Sequence, residues 1–211
     1  MTDREGFVKV SQMLVGQMAN FSYIVADEKS MDAAIVDPSW NLEIIYSTLK
    51  TNNWNAKYII NTHSHFDHIL GNEQVAEATG AKIVQHENSD SYKDLSVKDG
   101  QVIMLGDVHI KVMFTPGHSN DSICLTIYKD LIFTGDTLFV GNCGRTDLQG
   151  GDPALLYESL YDKIMTLNDS MIVYPGHDYG PTPSSTIYNE KMSNPVLKFR
   201  SRDSFLKYLT R

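Results

Sequence analysis

The sequence predicts an α/β protein built of layered sheets. Three observations predict it. Short apolar, β-rich segments alternate with stretches of helical apolar spacing along the whole chain. Turn residues separate them, with no repeat, low-complexity tract or Pro/Gly/Ser-rich linker. The composition, 42% hydrophobic and 21% charged, can build a packed core. At 211 residues, one large domain over 1–211 fits better than two small ones.

The elements follow in order. Residues 21–26 and 33–36 read as apolar strands, the second running into Asp37-Pro38. Leu42, Ile45 and Leu49 recur at helical spacing. Residues 58–61 form a short strand that leads into Thr62-His63, and 73–78 a helix stopped by Gly80. Residues 82–85 read as another strand, and the middle carries four more, over 101–104, 108–114, 122–128 and 131–133. Asp152-Pro153 opens a helix, since Asp can cap and Pro fits the first helical position; Leu156, Leu160, Ile164 and Leu167 mark its buried stripe. A strand over 171–174 and short helices over 186–192 and 201–209 complete the chain. The apolar stripes of these last helices read as core that covers a sheet.

Charge and composition exclude several function classes. Lys and Arg total 18 against 26 Asp and Glu, a net charge of −8, and no basic patch suits nucleic acid. The start, Met1 to Val10, holds no apolar stretch of signal-peptide length, and no run approaches the ~18 apolar residues that span a bilayer. A soluble cytoplasmic protein without membrane or nucleic-acid partners is the expectation. Cys124 and Cys143 make neither a disulfide framework nor a structural zinc pattern. Nothing near Cys143 activates its thiol, so it reads as a packing residue.

The histidines carry the chemistry. His63, His65 and His68 fall within six residues, with Asp67 among them. His118 and His177 each follow Pro-Gly directly after a strand, and Asp136 follows a strand in Phe133-Thr134-Gly135-Asp136. Strand ends along one sheet edge bring distant loops together. In an extended segment His63 and His65 point the same way. Imidazole and carboxylate suit zinc and also iron, and seven candidate ligands suffice for two metals. A lone histidine is usually a polar surface residue, a reading that applies to His86 and His109 but not to this cluster.

In these residues the chain resembles the metallo-β-lactamase superfamily. The shared pattern is His-x-His-x-Asp-His, then Pro-Gly-His, Gly-Asp and a last Gly-His, matched over about residues 20–179. The resemblance implies a four-layered αββα sandwich with metals at one edge between two sheets. It implies that His63, His65 and His118 hold one metal, Asp67, His68 and His177 a second, and that Asp136 bridges them. Two divalent ions are expected, zinc foremost and iron as the other candidate. A flavin-dependent di-iron branch has Glu in place of the second His, so His65 counts against it.

Ala19-Asn20-Phe21-Ser22-Tyr23, Ile35-Val36-Asp37-Pro38, the stretch from Gly141 to Asp147, and His177-Asp178-Tyr179 look most like the glyoxalase II (hydroxyacylglutathione hydrolase) and persulfide dioxygenase branch. That likeness implies a metal-dependent hydrolase of small-molecule thioesters, such as hydroxyacylglutathione-like substrates, acting through attack of a metal-bound hydroxide. Asp67 and Asp136 are then catalytic as well, offsetting metal charge and orienting the nucleophile. Arg145 and Tyr179 match positions that bind the glutathione part, although Arg145 serves a salt bridge to Asp147 or Asp152 equally well, and Tyr179 can simply pack. One departure stands out: glyoxalase II carries a long helical C-terminal extension, and only residues 178–211 follow the last histidine here. The alternative is a persulfide dioxygenase with one iron on His63, His118 and Asp136, a two-histidine, one-carboxylate arrangement. Lactone hydrolysis also remains open, and the sequence shows nothing of the oligomer.

Overall fold

The computed structural model describes residues 8–209; of the expected span 1–211, residues 1–7 and 210–211 lie outside it. Strands β1 (Val8–Val15), β2 (Asn20–Asp27), β3 (Asp32–Val36), β4 (Asn55–Ile60), β5 (Lys82–His86) and β6 (Leu95–Val97) form one sheet in sequential order. The helices α1 (Leu42–Asn52), α2 (Phe66–Ile69) and α3 (Asn72–Thr79) interrupt it. A second sheet takes β7 (Val102–Leu105), β8 (Val108–Phe114), β9 (Ile123–Ile127), β10 (Leu131–Gly135), β13 (Ile172–Pro175) and β14 (Ser185–Thr186), in the order β14-β13-β10-β9-β8-β7. Between β10 and β13 lie a small ribbon, β11 (Leu138–Phe139) with β12 (Asn142–Cys143), and helix α4 (Pro153–Glu158). Helices α5 (Ile187–Ser193) and α6 (Arg202–Leu209) close the chain.

Side-chain alternation sorts the core into three layers of contact. Phe21, Tyr23 and Val25 of β2 point to a cluster shared with Val108, Ile110, Val112, Ile123, Leu125 and Phe133 of the other sheet. Ile24 and Ala26 of the same strand face the opposite side, against Ile45 and Leu49 of α1 and Val75 of α3. Cys124, Ile132 and Val173 turn outward from the second sheet, against Leu156, Leu160, Ile187 and Phe205. Three apolar interfaces separate four layers, the expected αββα sandwich. Every residue of β2 is buried, because both faces of its sheet are covered.

Local signals hold where caps are strong. Asp152 accepts hydrogen bonds from Ala154 N and Leu155 N, with Pro153 in the first turn. Gly80 ends α3 at φ 73° and returns its N–H to Ala76 O. Two expectations change. The helix expected through Leu167 leaves α geometry at Ser159, passing through a π-helical turn (Ser159–Lys163) and a 3₁₀ turn (Ile164–Thr166), while Leu160 and Ile164 stay buried. The strand β1 precedes residues 21–26, the first strand the sequence predicts. It pairs antiparallel with β2 from Val8↔Asp27 to Val15↔Asn20 and is only partly buried, so polar residues interleave. No helix among the described residues is long and apolar enough to cross a membrane.

Candidate metal centre

All seven candidate ligands gather at one edge between the sheets. His63 and His65 follow β4, His118 follows β8, Asp136 follows β10 and His177 follows β13. Strands β10 and β13 are parallel, and β8 is parallel to both because each of β8 and β10 pairs antiparallel with β9. Their C-terminal ends therefore share one rim. The first sheet is tied to this rim by Ile123 N donating to Thr62 O (2.7 Å) and Phe21 N donating to Gly176 O (2.8 Å). Asp67 and His68 sit in the single helical turn α2 rather than in a loop. Tight turns are obligatory here. Gly135 lies at φ 47°, and a Cβ on Gly176 would meet Asp136 Oδ1 at 2.2 Å.

The outer nitrogens of four histidines are spoken for. Nδ1 of His177 donates to Met18 O (2.9 Å), Nδ1 of His118 to Arg145 O (2.7 Å) and Nδ1 of His68 to Asp37 Oδ2 (2.9 Å). The Thr62 hydroxyl donates to Asp37 Oδ2 (2.6 Å), so its oxygen is left to accept from His63 Nδ1 (3.2 Å). With Nδ1 the outer donor in each, Nε2 is the nitrogen the ring turns inward, a lone pair wherever it carries no second proton. Those nitrogens then crowd one another. His68 Nε2 lies 3.2 Å from His177 Nε2. His65 presents Nδ1 instead, 3.1 Å from His63 Nε2 and 2.9 Å from His118 Nε2. The carboxylates close the set: His177 Nε2 is 3.3 Å from Asp136 Oδ2 and 3.4 Å from Asp67 Oδ2.

Buried acceptors facing acceptors call for positive charge between them. The titration of the groups says the same. Burial alone would lower His177, but hydrogen bonds with Asp136 and Asp67 outweigh it and push its imidazole up to about 10. Burial would lower His68 too, yet Asp136 and Asp37 raise it. Burial and the neighbouring imidazoles hold His63 well below the ordinary histidine value. Asp67 and Asp136 stay below the usual carboxylate range, because the surrounding histidines overcome burial. Among the described residues, three groups have donor atoms close enough to hold one ion: His63, His65 and His118; His63, His68 and Asp136; and Asp67, His68 and His177. Asp136 Oδ1 is buried with no hydrogen-bond partner among the described residues. The donor set thus fits divalent cations of the zinc or iron class.

A cleft of about 330 Å³ opens over the cluster, lined by Met18, Phe139, Leu148, Arg145 and Tyr179 among others. Arg145 reaches this cleft and also pairs bidentately with Asp147, Nε to Oδ1 and a terminal nitrogen to Oδ2, both at 2.6 Å. Asp152 instead caps α4. Tyr179 stacks on His177 (4.6 Å, 12°) and donates to Met18 O (3.2 Å). Cys143 is buried and its thiol is pushed up to about 12, as a packing residue should be. His109 is exposed as expected. His86 is corrected: it is buried and stacked on Phe114 at 4.1 Å, because it ends an inner strand and its ring faces an aromatic of the other sheet. A larger depression of about 820 Å³ beside α3 contains none of the candidate ligands. Sequence reasoning gave no role to Asn20, Asp37 or Thr62, which hold the ligands; their signal is position, at the ends of apolar strands beside the motif.

This fold and this cluster define a class. The metallo-beta-lactamase superfamily model matches residues 15–177, and the chain belongs to that superfamily of metal-dependent enzymes. Among its relatives, it is 32% identical to the mitochondrial persulfide dioxygenase ETHE1 of Homo sapiens, over 96% of this chain and 80% of that one. It is 37% identical to a hydroxyacylglutathione hydrolase of Polaromonas sp., over 76% of this chain but 62% of the relative. The crystal structure of ETHE1 from Myxococcus xanthus superposes with a TM-score of 0.89 at 33% identity, covering 96% of this chain and 90% of that one. Both branches expected from the motifs are thus represented.

Proposed function

We propose that the protein is a hydrolase of small-molecule thioesters that holds two divalent cations, zinc foremost. His63, His65 and His118 would hold one ion and Asp67, His68 and His177 the other, with Asp136 between them. The observation that carries this reading is that all seven donors converge, including His65, whose Nδ1 turns in beside His63 and His118. Bound there, the ions would supply Lewis acidity and acidify water at neutral pH. Asp67 and Asp136, held ionised, would offset the cationic charge and could accept a hydrogen bond that orients the attacking water. Met18, Phe139 and Leu148 give the cleft an apolar wall that sheds solvent around the substrate. Arg145 and Tyr179 at the mouth would contact the thiol portion.

A persulfide dioxygenase with one iron on His63, His118 and Asp136 is the second reading, and the Myxococcus xanthus match favours it. It leaves His65, Asp67, His68 and His177 without a metal, which is why we rank it second. Metal analysis of protein purified without added metal separates them, followed by assays with S-lactoylglutathione and with glutathione persulfide. Two ions per chain with thioester turnover is the expected result. One iron per chain with oxygen uptake overturns it.

A further inference from the structure

We infer that Asn20, the first residue of β2, is a positioning residue for the Asp67–His68–His177 ion site. The inference rests on the two-ion reading above. Asp67 Oδ2 is the carboxylate oxygen that faces both inward imidazoles, 3.4 Å from His177 Nε2 and 3.5 Å from His68 Nε2. Asn20 Nδ2 donates to that same oxygen at 2.9 Å and to the Asp67 main-chain O at 3.1 Å. Both partners are acceptors, so the orientation of the amide is determined. The hydrogen bond occupies one side of Oδ2 and leaves the other for a cation.

The same residue reaches the opposite sheet. Asn20 forms an antiparallel bridge with His177. Its neighbours reinforce it: Phe21 N donates to Gly176 O and Asp178 N to Ala19 O, both at 2.8 Å, while Met18 O orients the His177 ring. One side chain and its backbone thus set two ligands that come from different sheets. A role in general stability explains this amide poorly. Asn20 is 1% exposed, and its Oδ1 has no hydrogen-bond partner among the described residues. A buried acceptor left so costs stability, and a side chain selected for packing would avoid it. Among the described residues Asn20 makes side-chain hydrogen bonds to Asp67 and none to His63, His65 or His118, so the second ion should depend on it and the first should not.

The test is zinc stoichiometry and affinity by equilibrium dialysis of the full chain and two variants. Asn20→Asp keeps the shape, removes the donor and sets a carboxylate against Asp67. Asn20→Ala removes the donor without adding charge. The wild type is expected to hold two ions. Both variants should bind one with unchanged affinity and the other about 10–100-fold more weakly, Asn20→Asp being the worse. Cobalt(II) substitution adds a spectroscopic check, in which only one of two absorbing sites should weaken. Unfolding of the metal-free variants separates a fold defect from a site defect, and Asn20→Ala carries the test if Asn20→Asp does not fold. Two ions held at wild-type affinity in Asn20→Ala overturn the inference, as does equal weakening of both sites. A wild type that holds a single ion overturns the two-ion reading and this inference with it.

Discussion

At the scale of single residues, the centre is built from pairs in which one side chain holds another. Asp37 illustrates the economy: one carboxylate receives Thr62 N, the Thr62 hydroxyl and His68 Nδ1, and so fixes a ligand and its neighbour at once. His65 differs, because it turns Nδ1 rather than Nε2 into the cluster. His65→Ala should therefore empty the three-histidine group and lower thioester turnover by more than the ~10–100-fold that changes behind the ligands cost. Steady-state kinetics and metal content check this together, and oxygenase activity that survives in the variant would support the iron reading instead. Gly176→Ala is a second probe. Its new methyl would stand 2.2 Å from Asp136 Oδ1, so the carboxylate must move. The expected outcome is weakened cation binding, read by dialysis, with unfolding of the metal-free variant to register the cost of Gly135 backbone atoms 3.0 and 3.1 Å from the same methyl.

Elements are joined across the sheets by buried polar staples as well as by apolar packing. Asp27, at the end of β2, accepts from Lys29 N and from Asp107 N in the β7–β8 turn, each at 3.0 Å, and so locks one sheet's hairpin to the other's. Burial alone would raise its carboxyl, but hydrogen bonds from Asp107 and Lys29 outweigh it and hold it below the ordinary value. A folded-state value below the unfolded one means that the ionised group stabilises above about pH 4 and that this contribution fades as acid protonates the folded state. Asp27→Ala should cost roughly 1–3 kcal/mol at pH 7, because two main-chain donors lose their partner. Urea unfolding at pH 7 and pH 3 checks it: the gap between wild type and variant should narrow in acid. The elements themselves were legible where the pattern is local. Residues 108–114 match β8 throughout, because alternating apolar side chains serve one face. Strand β1 was not, since an edge strand admits Lys9, Ser11 and Gln12. Nor were β11 and β12, two-residue strands too short to carry a period.

Across the whole molecule, the fold's task is to make seven residues from four strand ends meet. The ligand types and their order were readable because the chemistry demands His and Asp after tight turns. Their support was not, because Asn20 and Asp37 act through contacts 47 and 31 residues away along the chain. In the metal-free fold the same convergence leaves protons to supply the positive charge, with the His177 imidazole facing the two carboxylates. Cations that bind the folded chain and not the unfolded one must then stabilise it by mass action. At a free concentration of 100 times Kd the gain is about 2.7 kcal/mol per ion, and about 1 kcal/mol moves Tm by roughly 2–4 °C at this chain length. Chelation should thus lower Tm by about 5–10 °C for each site emptied, in a calorimetric scan of the same preparation before and after a chelator. Adding zinc should restore it. Because the inward nitrogens must give up protons to accept a cation, with His177 held up at about 10 in its absence, the restored shift should shrink as pH falls. An equal Tm with and without chelator would mean that the cluster carries no ion that matters to the fold.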